Sequence, residues 1–147
     1  MQKSEGKTFR WSGSYHGNMN EAKTHETQLN VLESFRPDLP EHYKNTPYVF
    51  LGNIDPDLQM HVISQLTDTK LIACDTMNFW IEGRRSSLMK TLEKVDLLSI
   101  NDGEAKLLSG EENIITAAQA IQKMGPETVV IKRGEYGAVL FTQDGIF

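Results

Sequence analysis

The sequence has almost no cysteine: Cys74 is the single one among 147 residues. One thiol cannot close an internal disulfide, and a chain without disulfides is typical of a reducing compartment. The histidines are scattered and do not show the spacing of zinc ligands around Cys74; they are His16, His25, His42 and His61. We therefore expect a cytoplasmic protein without a structural zinc site.

Long apolar runs and an excess of positive charge are also missing. No stretch approaches the ~18 apolar residues of a membrane helix, and the polar start MQKSEGKTFRW lacks the apolar core of a signal peptide. Lys and Arg number 15 against 20 Asp and Glu, which gives a formal charge of -5. The sequence therefore predicts neither a membrane nor a nucleic acid as a partner.

Three well-known catalytic and binding motifs are absent. The sequence contains no Walker phosphate loop, no dinucleotide-binding GxGxxG and no GxSxG nucleophile elbow. Cys74 lies inside an apolar run, where a thiol usually serves packing and is inert. Any nucleotide site in this chain must therefore belong to another class.

The first part of the chain has the pattern of a β-ribbon. Thr8 to Tyr15 alternates apolar and polar residues, which is the period of a strand with one apolar face. A turn rich in Gly and Asn follows at 16–20, and Thr27 to Leu32 is predicted to return as the second strand. Phe35 to Pro47 carries three prolines and is predicted to be a connector. Residues 1–47 are thus predicted to form a ribbon segment and its connector.

From residue 48 onward, apolar runs of strand length alternate with helical patterns. The runs lack polar alternation because both faces of such strands are covered; they are 48–52, 70–74, 96–100 and 128–132. The clearest helix is 113–124, whose apolar residues fall on one face and which Gly125-Pro126 ends. This order predicts an α/β fold with right-handed crossovers and a parallel, Rossmann-like sheet at 48–147.

The C-terminal part changes to strand and turn. Ala138 to Thr142 is predicted to be a strand, and Gln143-Asp144-Gly145 is predicted to be a hairpin turn. The chain ends two residues later, so we expect this α/β core to be partial and the fold to be incomplete. An unfinished sheet edge favours pairing between copies, and a homodimer is the oligomer we expect.

Polar residues follow each predicted strand of the α/β part. Open parallel sheets bind ligands at the carboxyl ends of their strands, so these residues are the first candidates for a site. The polar segments are 52–53, 75–78, 101–104 and 132–137. Together they could surround a small polar or phosphorylated ligand.

Asn101 and Glu104 have two interpretations. Asn at the N-cap and Glu three residues later can satisfy each other's free main-chain amides at a helix start. Alternatively, a carboxylate at a helix N-terminus beside the sheet holds a hydrated magnesium ion against a bound phosphate. The two interpretations are compatible with each other.

Gly134 and Gly137 also have two interpretations. They can form a tight turn, because glycine adopts positive φ at the lowest cost. Alternatively, bare main chain approaches a nucleotide there, with Lys132 or Arg133 supplying positive charge near the phosphates. Asp75, which follows the second run of the α/β part, is predicted to cap or close a turn.

Taken together, these segments resemble a known family. The succession DTMNFW (75–80), VDLLSINDGEAKLLSG (95–110), the helix 113–124 and TVVIKRGEYGAVLF (128–141) closely resembles the ribokinase-like, PfkB-type family of carbohydrate kinases. The resemblance covers roughly the last two thirds of the chain, and the order and spacing of its parts carry it. Thr8 to Leu32 resembles, by position and pattern, part of the β-lid that family members fold over the sugar.

The resemblance implies roles for five residues. In the family, the Asn-x-x-Glu motif, here Asn101 and Glu104, organises magnesium and phosphate, so Glu104 is the implied metal ligand. The Gly-x-x-Gly turn, here Gly134 and Gly137, lies beside the nucleotide. Lys132 occupies a position that is often Thr in the family, and it is grouped with the cofactor-binding residues. The implied cofactors are ATP and Mg²⁺.

Two family features are absent from this sequence. Family members begin with a glycine-rich sugar-binding segment before the lid, and they carry a Gly-Ala-Gly-Asp motif with the catalytic aspartate. Neither occurs in the 147 residues. The resemblance therefore implies a central fragment of a kinase, and no residue of this chain is assigned as catalytic.

The function that the resemblance implies is phosphoryl transfer from ATP to a sugar or a related hydroxyl compound. Its partners would be a small sugar-like substrate and a nucleotide. An alternative is a non-catalytic nucleotide-binding or regulatory α/β domain that keeps the crevice without the chemistry. A third is an unrelated doubly wound enzyme, because this architecture hosts many activities.

Overall fold

The computed structural model describes residues 4–17 and 22–147. The chain forms two compact units, Met1–Arg36 and Pro37–Phe147. No helix among the described residues is both long enough and apolar enough to cross a membrane. The functional division into 1–47 and 48–147 stays a prediction.

The first unit contains a two-stranded antiparallel ribbon, as predicted. Strand β1 (Arg10–Tyr15) pairs with strand β2 (Ala22–Gln28), and the register shifts once, between Ser12 and Gly13. The indole of Trp11 lies where a Cβ on Gly13 would stand, and its Nε1 donates to Thr24 Oγ1 at 3.1 Å. Position 13 therefore requires glycine, because a side chain there would overlap the Trp11 indole. Residues 18–20 of the predicted turn lie outside the described residues.

The prediction for the second ribbon strand is wrong in its position. We expected it at 27–32, but β2 begins at Ala22 and residues Asn30–Leu32 form a 3₁₀ turn. The reason is that β2 is polar on both faces, since a two-stranded ribbon buries little of either, so no apolar alternation marks it. The apolar residues that suggested a strand serve the turn, where Val31 N donates to Lys7 O at 3.2 Å.

The second unit is built on a five-stranded sheet, which confirms the predicted α/β class with parallel strands. Its strands are β3 (Tyr48–Leu51), β4 (Leu71–Asp75), β5 (Leu97–Asn101), β6 (Thr128–Lys132) and β7 (Ala138–Phe141). They lie in the order β3-β4-β5-β6-β7, with β3 to β6 parallel and β7 antiparallel to β6. The chain then turns at 143–145, and Phe147 exchanges two main-chain hydrogen bonds of 2.9 Å with Leu140.

The described residues of this unit contain six α-helices, of which the first precedes β3 and the other five connect β3 to β6. They are α1 (Glu41–Lys44), α2 (Pro56–Ile63), α3 (Asn78–Gly83), α4 (Arg85–Leu92), α5 (Asp102–Ser109) and α6 (Ile114–Gln122). Asp55 caps α2 by accepting from Asp57 N at 2.9 Å, and Asn113 caps α6 by accepting from Ile115 N at 2.8 Å. Both caps satisfy main-chain amides that a helix start leaves free.

The core of this unit lies between the sheet and its helices. Eight large side chains from five of these elements are fully enclosed: Leu88, Leu92, Leu98, Ile100, Leu108, Ile121, Val129 and Ile131. Because strands β5 and β6 are fixed by buried residues along their length, the polar residues that follow them are held at the sheet's end. We call this end, formed by the C-terminal residues of β3 to β6, the carboxyl edge.

Candidate functional site at the carboxyl edge of the sheet

The sheet brings the predicted residues of β5 and β6 together. Asn101 ends β5, Lys132 ends β6, and the two residues are partners in the parallel register. Asp75 ends β4, the neighbour of β5 on the other side. Three adjacent strands therefore present an acid, an amide and an ammonium group along the same edge.

Asn101 and Glu104 form a complete capping box at the start of α5. Asn101 Oδ1 accepts from Glu104 N at 2.7 Å, and Glu104 Oε2 accepts from Asn101 N at 2.8 Å. The helix ends at Gly110, which has φ 77° and donates its amide to Lys106 O at 2.8 Å. The predicted capping role of Asn101 and Glu104 is thus confirmed. Glu104 Oε1 takes no part in the box, so a second role for this carboxylate remains compatible with it.

The environment of Glu104 disfavours the ionised form of its carboxyl group. The side chain is buried, with the residue 9% exposed. Burial raises the pKa of Glu104 above 4.5, while its hydrogen bond from the Asn101 amide and the Lys132 ammonium act in the opposite direction, and the charge of Asp75 adds to the rise. A bound cation would offset this cost, because its positive charge favours the ionised form of the carboxyl group.

Gly134 and Gly137 enclose a tight turn, as the conservative interpretation predicted. Gly134 has φ 56° and Gly137 has φ 83°, and residues Gly134–Tyr136 form a 3₁₀ turn. Arg133 N donates to Gly137 O at 2.7 Å, which closes the loop. A Cβ on Gly137 would meet no described atom within 4 Å. The positive φ therefore requires glycine here, and the space beside the main chain is open to a ligand.

Asp75 does not have the capping role that the sequence predicts for it. We expected it to cap or close a turn, but the N-cap of α3 is Met77 and no side chain caps that helix. Asp75 Oδ1 is buried and has no hydrogen-bond partner within 4–17 and 22–147. Burial raises the pKa of Asp75, against the Lys132 ammonium and the residue's own main-chain amide. The signal in the sequence was its place at the end of an apolar run, which put segment 75–78 among the candidate site residues.

Lys132 is the cation that both carboxyl groups share. It is exposed at the end of β6, and its charge lowers the pKa of Asp75 and of Glu104. An exposed ammonium group close in sequence to an open glycine turn is a suitable contact for phosphate oxygens.

The donor set suits magnesium bound together with a phosphate ligand. Among the described residues there is no group of three or more His, Cys, Asp or Glu side chains that could hold a metal alone. Mg²⁺ is commonly bound by one or two carboxylates, with waters and substrate phosphates completing its shell. Glu104 with its free Oε1, and Asp75 with its unpartnered Oδ1, meet that requirement.

Comparisons with known proteins identify the family to which the chain is similar. Residues 19–147 match the family described as "pfkB family carbohydrate kinase". A cytidine kinase of Thermococcus kodakarensis is 27% identical over 111 residues, which are 74% of this chain and 39% of that protein.

Solved structures share the fold. A ribokinase from Thermotoga maritima superimposes with a TM-score of 0.72 at 15% identity, covering 98% of this chain and 48% of that one. An Arabidopsis thaliana ribokinase complexed with ribose and ATP gives a TM-score of 0.59 at 24% identity, covering 73% of this chain and 36% of that one. The chain thus spans less than half the length of each of these relatives. Since the family match includes most of its residues, the chain belongs to the pfkB family of carbohydrate kinases.

Proposed function

We propose that this chain carries the nucleotide and magnesium site of an ATP-dependent kinase that phosphorylates a hydroxyl group of a sugar or nucleoside. The observation that carries the proposal is the side-by-side placement of Asn101 and Lys132, with the Glu104 carboxylate and the open glycine turn directly after them. Phosphoryl transfer depends on positioning and charge neutralisation, and these groups supply both.

Each residue has a distinct role in this proposal. Asn101 holds Glu104 in place through the capping box, and the carboxylates of Glu104 and Asp75 would hold the metal ion. Lys132 contacts phosphate oxygens, and the main chain at Gly134 and Gly137 lets the nucleotide approach closely. Bound Mg²⁺ would neutralise phosphate charge during transfer.

The acceptor class is supported by the relatives and by the ribbon. The named relatives are a cytidine kinase and a ribokinase with ribose bound, so a ribose-containing acceptor is the first candidate. A ribbon such as β1–β2 resembles the lid that shields the acceptor from water in this family. Excluding water protects the transferred group from hydrolysis.

A non-catalytic nucleotide-binding domain is the second candidate. It would keep the same residues at the carboxyl edge and bind magnesium and ATP without phosphoryl transfer.

Calorimetric titration with ATP, with and without magnesium, tests the shared part of both candidates. We expect magnesium to tighten ATP binding, and Lys132→Ala to weaken it about tenfold through loss of a charged phosphate contact. Lys123→Ala, which removes an exposed lysine after α6, is the matched control and should bind like wild type. Binding that ignores magnesium, or an equal loss in both variants, would contradict the site.

A panel of acceptors separates the two candidates. Ribose and cytidine are incubated with ATP, magnesium and the chain, and the phosphorylated product is measured. Product formed from one acceptor makes the chain a kinase in its own right. ATP binding without any product supports the non-catalytic alternative for these 147 residues.

A further inference from the structure

A buried glutamine joins two strand ends at the carboxyl edge. Gln59 lies on α2 and is 1% exposed. Its Nε2 donates to Leu51 O at 3.3 Å, to Gly52 O at 3.1 Å and to Asp75 O at 3.1 Å. One amide group therefore ties the end of β3 to the end of β4.

The polar atoms around this junction are incompletely paired. Gln59 Oε1, Asp75 Oδ1 and Thr76 Oγ1 are buried without a hydrogen-bond partner in the part of the chain that the structure describes. An unpaired buried polar atom is costly, and the three hydrogen bonds of Gln59 Nε2 do not remove the cost at Oε1 of the same amide. Groups of this kind are most often explained by a bound ligand or water, or by a role in function.

We propose that Gln59 is a positioning residue that fixes the main chain of Asp75, and through it the Asp75 carboxylate, for the binding of magnesium and ATP. The inference rests on the proposed function. Gln59 does not reach the ligand in this proposal. It acts by holding the Asp75 carbonyl, so that the side chain of Asp75 starts from a fixed point beside Glu104 and Lys132.

Gln65 shows what a purely structural glutamine looks like in the same unit. Its Nε2 donates to Pro37 O at 2.9 Å and to His61 O at 3.0 Å, and its Oε1 accepts from Leu39 N at 2.8 Å. Both ends of this amide are paired, and none of its partners ends a strand at the carboxyl edge. Gln65 is therefore a matched control for Gln59.

The experiment compares Gln59→Met and Gln65→Met, which keep side-chain length and remove the amide. The first measurement is main-chain amide exchange of the ligand-free chain by NMR. We expect faster exchange at the paired amides of β3 and β4 in Gln59→Met only, beyond any change shared with amides of β6. Exchange that stays like wild type at these positions, or rises equally in Gln65→Met, would overturn the inference.

The second measurement is the magnesium dependence of ATP binding. A supporting residue behind a ligand typically changes metal affinity by about tenfold or more, so Gln59→Met should need about tenfold more magnesium for the same ATP affinity. Gln65→Met should need no more than wild type at equal folded fraction. Equal magnesium curves for the two variants would overturn the positioning role.

The two arms also separate this inference from the proposed function. If wild type binds no ATP with magnesium, the proposed function is wrong, and the positioning of a site falls with it. If wild type binds ATP with magnesium and Gln59→Met binds equally well, the proposed function stands and the role of Gln59 is wrong.

Discussion

Glu104 combines two tasks that normally fall to different residues. One carboxylate oxygen caps α5, and the other lies outside the capping box. The charge of Lys132 lowers the pKa of this carboxyl group, against the effect of burial. A capping residue needs only an acceptor, whereas the proposed magnesium site also uses the negative charge of the carboxylate. Replacing the charge while keeping the acceptor therefore separates the tasks.

Glu104→Gln should raise the magnesium requirement for ATP binding without unfolding the chain. Gln can still accept from the Asn101 amide and complete the capping box, so the melting temperature should not fall. Loss of the charge should raise the magnesium concentration for half-maximal tightening by about tenfold or more. Titrations of ATP at a series of magnesium concentrations measure this.

The control for that change is Glu112→Gln. Glu112 is a highly exposed acid that pairs with Lys106 at 3.4 Å, and it takes no part in the carboxyl edge. Its variant should follow the wild-type magnesium curve. If the curve of Glu104→Gln also superimposes on wild type, Asn101 and Glu104 form a capping motif only.

The pH dependence of stability should change when Glu104 is replaced. Because burial raises the pKa of Glu104 in the folded chain, the folded state holds this proton more tightly than the unfolded state does. This contribution to stability is complete below the unfolded pKa and is lost as the pH rises through the folded pKa. The melting temperature of Glu104→Gln minus that of wild type should therefore increase from about pH 4 to about pH 7. A difference that stays constant, or that decreases, would show that the carboxylate is not disfavoured by burial.

At the scale of elements, Gly125 decides how α6 connects to β6. It has φ 146°, and a Cβ at this position would overlap the main chain of Leu92 and Glu93 at the end of α4. Gly125-Pro126, which was predicted to end the helix, therefore also lies against the main chain at the end of α4. The sequence indicated the end of the helix but not this contact.

Gly125→Ala should destabilise the second unit by about 1 to 3 kcal/mol, because it adds both strain and overlap. Gly83→Ala is the control: Gly83 ends α3 without positive φ, and its Cβ would meet no described atom within 4 Å. That change should be neutral or stabilising by up to about 1 kcal/mol. Urea unfolding of both variants measures the difference, and equal stabilities would refute the proposed overlap.

Local signals were read correctly from the sequence, and long-range ones were not. The capping box at Asn101 and Glu104 depends on residues three positions apart, and the parallel strands were marked by uninterrupted apolar runs. Strand β2 was misplaced because only its pairing with β1 defines it. The environment of Asp75 could not be predicted in this way. Its Oδ1 has no hydrogen-bond partner among the described residues, its side chain does not cap α3, and the charge that lowers its pKa is on Lys132, two strands away in the sheet. The roles of the site residues in binding stay predictions.

At the scale of the whole second unit, the two outer strands of the sheet, β3 and β7, differ in how their outer sides are paired. The outer side of β7 is paired by the returning chain, where Phe141 bridges to Ile146. Strand β3 at the opposite end pairs with β4 alone among the described strands. Tyr48 and Phe50 on β3 are 66% and 63% exposed. An open strand edge flanked by exposed aromatic side chains is a site for association between chains.

The double variant Tyr48→Lys with Phe50→Lys should reduce self-association of the chain. Lysine on an edge strand opposes the approach of a second edge through charge repulsion and removes the aromatic surface. Tyr43→Lys is the control, because Tyr43 is 56% exposed on α1 and lies on no strand. Sedimentation velocity over a range of protein concentrations should show the double variant closer to a monomer than wild type or Tyr43→Lys. If all three associate equally, the β3 edge is not the contact, and the expected pairing of copies must use another surface.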